Sequence, residues 1–149
     1  MTGAEHPARA VSQQSMAAVE AGDRDGWLVL FAPDAVVQDP IGVSPLDPTG
    51  LGHHGVDAIA AFYDTVIAPN RVSFEIRESY AAGNEVANVG TITTTFDDGG
   101  RALVDGVYTY RVDDEGRLVA LRAYWEVDAL RYEPPPSGAV AVSPPARQR

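Results

Sequence analysis

Three stretches in the first half of the chain carry apolar residues at helical spacing. Val11, Ser15, Ala18 and Val19 form one stripe of small and apolar side chains over residues 8 to 21, and Gly22 closes it. Asp23 then suits an N-cap, opening a short helix that carries Trp27, Leu28, Leu30 and Phe31. Val56, Ile59, Ala60, Tyr63, Val66 and Ile67 predict a third helix over roughly residues 56 to 68. Between the second and third helices, Ala35-Val36-Val37-Gln38 reads as a short strand that Pro40 ends. The stretch "VSPLDPTGLGHH" after it, residues 43 to 54, is rich in Pro and Gly and is assigned as a loop.

The second half changes period. "RVSFEIRESYA" alternates Val72, Phe74 and Ile76 with polar partners, and the Thr- and Val-rich "EVANVGTITTTF" runs into the hairpin signal "DDGG". "RALVDGVYTYRV" places Ala102, Val104, Gly106, Tyr108, Tyr110 and Val112 on one face. After a further turn at "DDEG", "RLVALRAYWEV" does the same with Val119, Leu121, Ala123, Trp125 and Val127. Helices first and an antiparallel meander afterwards predict an α+β fold, with three N-terminal helices packed on one side of a mostly antiparallel sheet. Several strands exceed ten residues, so the sheet is expected to curve strongly around the helices. The result is a cone whose mouth forms a natural pocket.

At 149 residues the chain suits one domain with a substantial core. Residues 1–7 are read as a flexible N-terminus and 8–132 as the domain. Residues 133–149, "EPPPSGAVAVSPPARQR", lack periodicity and are read as a disordered Pro-rich tail. Eleven basic against twenty-one acidic residues leave a formal charge of -10, which would repel polyanions, so no nucleic-acid partner is expected. No apolar run is long enough to span a bilayer and the N-terminus lacks a secretory pattern, so a membrane partner is not expected either. The absence of Cys excludes disulfides, thiolate catalysis and Cys-bound metals, and a cytoplasmic location is the expectation.

Against this background one carboxylate stands out. Asp39 in "VVQDPIG" shares a strand face with Val37 and Ile41, where alternation calls for apolar side chains. It either shapes the Asp-Pro turn through local backbone hydrogen bonds or serves as a general base shielded from bulk water.

The segments "AVEAGDRDGWLVLFAPDAVVQDPIG", "GVDAIAAFYDTVI" and "YRVDDEGRLVALRAYWEVD" together resemble the ketosteroid isomerase-like branch of the nuclear transport factor 2-like (SnoaL-like) superfamily. The likeness spans nearly the whole domain in order and is interrupted by the 43–54 loop. It implies a cone-shaped α+β domain that forms a homodimer through the outer sheet face. It also implies an apolar pocket for a flat steroid, and chemistry without a metal or organic cofactor. In that family one Asp moves a proton from the carbon beside a ketone to a carbon two positions further along, while a Tyr and a protonated acid hold the enolate oxygen. That logic is itself one of the standard cases of carboxyl tuning.

Carried over residue by residue, the resemblance makes Asp39 the proton-shuttling base. Ser15 stands in the place of the oxyanion-binding Tyr, and Tyr108 in the place of the protonated acid. Tyr63 matches a supporting Tyr of the third helix, and Trp125 in "RAYW" a pocket-lining aromatic. Phe31 replaces a family Tyr, while Phe62 and Val104 are expected in the cavity wall. With Ser at position 15, the donor to the enolate is expected from Tyr108 or Tyr63, and turnover is expected to be weak or absent on the usual substrate.

Alternatives from other classes remain. The same pocket could retain a steroid or polyketide-like molecule without chemistry, or the fold could serve as a protein-interaction domain. An epoxide hydrolase or cyclase would need a second acid near Asp39, for which Glu75 and Asp105 are the nearest strand residues. Both are expected on the opposite face from their strands' apolar residues. His53 and His54 are adjacent, a spacing unsuited to a metal pair on a helix or strand, and are expected in a solvated loop over the mouth.

Overall fold

A computed structural model describes residues 5–136. The first helix, α1 (Pro7–Ala21), begins at His6, whose Nδ1 accepts the Ala8 N–H. It stops at Gly22, where φ of 69° is the left-handed conformation that Gly adopts without penalty. Asp23 caps α2 (Arg24–Leu28), its carboxylate accepting the Gly26 N–H at 3.0 Å. The helix ends at Leu28, and Phe31 already opens strand β1 (Phe31–Gln38), so the predicted strand is extended at its N-terminal end.

The predicted 43–54 loop is more ordered than its composition suggests. Ser44 and Asp47 exchange backbone hydrogen bonds, and the Asp47 carboxylate accepts from Thr49 Oγ1 at 2.6 Å and the Gly52 N–H at 2.8 Å. Those donors hold its carboxyl below the usual carboxylate range. His53 and His54 are not loop residues: they form β2 (His53–His54), antiparallel to β1, with His53 opposite Val37.

Helix α3 (Val56–Phe62) passes into a single π-helical turn over Tyr63–Ile67, closed by the Ala68 N–H donating to the Tyr63 carbonyl at 2.8 Å. Such wide turns shift the register of the residues that follow. The single stripe predicted through Tyr63, Val66 and Ile67 is therefore split between two surroundings.

Strands β3 (Arg71–Ala82), β4 (Glu85–Thr95), β5 (Arg101–Val112) and β6 (Leu118–Tyr124) form the antiparallel meander read from the sequence. β1 joins parallel to β6, giving the order β2-β1-β6-β5-β4-β3. The sheet is open and curved, with the helices packed on one side, an α+β arrangement. Where β6 leaves β5, a short turn leads to β7 (Arg131–Glu133), which pairs with Arg101–Leu103 on the same edge of β5. Glu133, assigned to the tail by composition, thus belongs to the sheet. The rest of the tail reading from 137 on, and the flexible-terminus reading for residues 1–4, lie outside the described residues.

Two paired glycines mark a close approach across the sheet. Gly90 on β4 sits opposite Gly106 on β5. A side chain at Gly90 would strike the Glu75 carbonyl, beside the register shift in β3. One at Gly106 would strike the Tyr124 carbonyl and approach Trp125 Cβ at 3.1 Å. Gly106 is thus the residue that lets β6 cross close over β5 and bring Trp125 to the interior.

The core is continuous. Trp27, Ile59, Val37, Val86 and Leu118 are all almost completely buried between the helices and the inner sheet face. Beneath α1, Asn88 donates to Ser12 Oγ and Ser12 to the Arg9 carbonyl, so these buried polar groups are satisfied.

Candidate functional site

The inner face of the sheet, α1 and the π-helical turn enclose a cavity of about 340 Å³. This is within the size range of small-molecule sites. Its wall is largely apolar, with Val37, Phe62, Val66, Phe74, Ile92, Val104, Leu121 and Trp125 contributing, and its few polar groups are Ser15, Asp39, Tyr108, Tyr110, Thr65, Thr94 and Asn70.

Strand β1 delivers Asp39. The alternation that buries Val37 carries the carboxyl inward, and the following chain is fixed where the Ile41 N–H donates to the Ala123 carbonyl at 3.0 Å. The Asp39 side chain is half-buried and lines the cavity. Burial pushes its pKa above the ordinary carboxylate range. Two neighbours act in the opposite direction. Trp125 Nε1 donates to Asp39 Oδ1 at 2.7 Å, and positive charge on His53 favours the ionised form. A carboxylate so placed is basic enough to take a proton yet steadied as an anion by a single indole N–H.

The two strand tyrosines face the same cavity from β5. Burial comes first and the charge of Asp39 second in holding both phenols well above their usual pKa, so both remain neutral donors. Tyr108 donates to the Val104 carbonyl on its own strand at 2.8 Å. Ser15 is buried on α1, where its Oγ accepts the Trp27 indole N–H at 2.9 Å and stands beside the Tyr110 phenol.

Of the residues singled out from sequence, Asp39, Tyr108, Ser15, Phe62, Val104 and Trp125 are brought together around the cavity. Tyr63 and Phe31 are not. The wide turn after Phe62 tucks the Tyr63 ring against Trp27, 5.5 Å between centroids, with its hydroxyl in the field of Asp23, Arg24 and Asp64 rather than of Asp39. Phe31 packs edge-on against the other side of Trp27, at 4.8 Å, as a core residue behind the wall.

Glu75 and Asp105 lie outside the cavity, as the alternation predicts. Asp105 accepts from Thr91 and Arg131 on the outer sheet face, which holds its carboxyl below the usual range. Glu75 is exposed beside Arg77. Among the described residues, therefore, no second carboxyl lines the cavity with Asp39, and no group of three His, Asp or Glu is arranged to hold a metal.

Four participants escaped the sequence reading. His53 reaches the neighbourhood of Asp39 because β2 pairs with β1, and its ring lies 4.7 Å from that of Phe62. Leu46 comes from the intervening segment, and Trp27 lines the cavity from α2. Both tryptophans therefore touch the cavity. Tyr110 is the fourth, and its place two residues from Tyr108 was the available signal.

Residues 12–121 match the SnoaL-like domain family. The chain is 45% identical to the Δ5-3-ketosteroid isomerase of a Mycobacterium species, over 86% of this chain and 99% of that one, with a TM-score of 0.83. It is 40% identical to a Mycobacterium tuberculosis protein solved in complex with estradiol-17beta-hemisuccinate, over 85% and 99% of the two chains, with a TM-score of 0.81. A steroid Δ-isomerase of Nocardioides simplex is 29% identical over 108 residues, 72% of this chain and 80% of the relative.

Proposed function

The chain belongs to the SnoaL-like domain family, in its ketosteroid isomerase-like branch, and from that premise we propose that it isomerises a β,γ-unsaturated 3-ketosteroid to the conjugated ketone. The Asp39 carboxylate removes a proton from the carbon lying between the carbonyl and the double bond, which leaves a dienolate. The resulting carboxylic acid returns the same proton to the far end of the dienolate, so the double bond moves into conjugation and Asp39 is regenerated. The negative charge that gathers on the ketone oxygen calls for a neutral hydrogen-bond donor preorganised on the cavity wall.

The observation that carries this reading is a lone carboxylate raised in basicity by burial, inside an apolar cavity, with one indole N–H as its close hydrogen-bond partner. It is tested by following the absorbance of the conjugated enone after adding the unconjugated steroid. Native protein is expected to accelerate its appearance, and Asp39→Asn to remove most of that acceleration. Native protein indistinguishable from buffer would reject the reading.

A second reading, retention of a flat apolar ligand without turnover, is supported by the engagement of Tyr108 with the Val104 carbonyl. It predicts saturable quenching of tryptophan emission by a planar steroid phenol together with no enone formation.

A further inference from the structure

The two cavity phenols differ in one respect. Tyr108 has its acceptor in the Val104 carbonyl. Tyr110 is 3% exposed, and among the described residues its hydroxyl donates no hydrogen bond. Buried polar groups nearly always have partners, and an orphan calls for an explanation. Here the orphan lines the cavity and lies close enough to Asp39 to feel its charge.

Behind Tyr110 stands a short relay. The Trp27 indole N–H occupies Ser15 Oγ as an acceptor at 2.9 Å, which leaves the single serine proton for another oxygen. The neighbouring oxygen is the Tyr110 phenol. Once that phenol accepts from Ser15, its own proton becomes a stronger donor, because successive hydrogen bonds polarise one another. The Tyr110 side chain lines the cavity, so that proton is within reach of a molecule held there. The small side chain at position 15 is what admits this arrangement, since a bulkier residue on α1 would compete with the Tyr110 ring for the same space.

We propose that Tyr110, polarised through Ser15 and Trp27, is the donor that holds the substrate's ketone oxygen as it becomes an enolate. This assignment rests on the isomerase reading above for its catalytic meaning. Tyr110 is then a catalytic residue, Ser15 and Trp27 are positioning residues, and Tyr108 is a wall residue fixed to its own strand.

The test uses a planar steroid naphthol whose neutral and ionised forms emit at different wavelengths, bound to the full chain. It is made in the Asp39→Asn background, where no neighbouring carboxylate opposes charge on the probe. The ionised fraction of bound probe is expected to fall at least about tenfold with Tyr110→Phe and to change little with Tyr108→Phe. Ser15→Ala, which leaves the phenol but removes the relay, is expected to give an intermediate fraction. With Asp39 intact, Tyr110→Phe should lower kcat about a hundred- to a thousandfold, the cost of removing one such donor, with KM little changed. An unchanged ionised fraction in Tyr110→Phe, with binding retained, overturns the assignment, as does a larger effect from Tyr108→Phe. If Tyr110→Phe fails to fold, Ser15→Ala with native-like probe emission overturns it instead. The probe requires no turnover, so native protein that ionises the probe through Tyr110 but makes no enone would remove the isomerase reading and leave Tyr110 as a ligand anchor.

Discussion

Replacing Trp125 by Phe keeps an aromatic plate in the cavity wall and deletes one atom of consequence, the Nε1 that donates to Asp39 at 2.7 Å. A hydrogen bond to a charged acceptor is worth about 1.5–3 kcal/mol, and one to a neutral acceptor about 1 kcal/mol. The indole N–H therefore favours the carboxylate over the carboxylic acid by the difference, about 0.5–2 kcal/mol. At 1.36 kcal/mol per factor of ten, the ratio of ionised to protonated Asp39 at a fixed acidic pH should fall about two- to thirtyfold in Trp125→Phe. The direction follows from the site: burial already raises the Asp39 pKa and Trp125 opposes it, so losing Trp125 raises it further. In the pH profile of kcat/KM for enone formation, the acid limb should move to higher pH, while the plateau holds or rises slightly because the base is stronger. An acid limb left where it was, with only the plateau lowered, would show that Trp125 acts by packing and that its bond to Asp39 does not tune the base.

Two further outcomes follow from the same coordinates and a third from the family resemblance. Because burial raises the folded-state pKa of Asp39 above its ordinary value, its contribution to stability is fullest at acidic pH and declines as pH rises through the folded pKa. Asp39→Asn should therefore melt near the native temperature at acidic pH and above it at pH 7, each kcal/mol of relief amounting to about 3 °C in a chain of this size. Gly106→Ala would force a side chain against the Tyr124 carbonyl and Trp125, at a cost of about 1–3 kcal/mol; calorimetry should show the loss, and the residual activity should carry the shifted acid limb of Trp125→Phe. The homodimer that the family resemblance implies is tested by light scattering, which should give the mass of two chains, with Val107→Glu, a change on the outer sheet face where Val107 pairs with Val89, returning it to one.

The periodic elements were legible because their faces are set by local spacing. The switch from helical stripes to period-two alternation located β3 to β6, and the alternation in β5 placed Val104, Tyr108 and Tyr110 on one face, which is the inner one. Asp39 was legible for the same reason, as a carboxylate on an apolar strand face. What stayed hidden depends on pairing and on departures from ideal geometry. The π-helical turn at Tyr63 shifts the register by one residue, which no stripe count reveals, and it separates Tyr63 from Val66 and Ile67. His53 reaches Asp39 only through the β1–β2 pairing, and a segment rich in Pro and Gly gives no hint of a strand. Which of the two phenols was engaged turned on a single carbonyl, that of Val104.

The most direct test of Asp39 as a two-way proton carrier is to follow the atom it carries. An unconjugated 3-ketosteroid labelled with deuterium at the carbon between the ketone and the double bond is converted in ordinary water, and the product is read by mass and NMR. Part of the label should reappear two carbons further along in the native product, and Asp39→Asn should form almost no product. Product formed at an undiminished rate by Asp39→Asn would contradict the account.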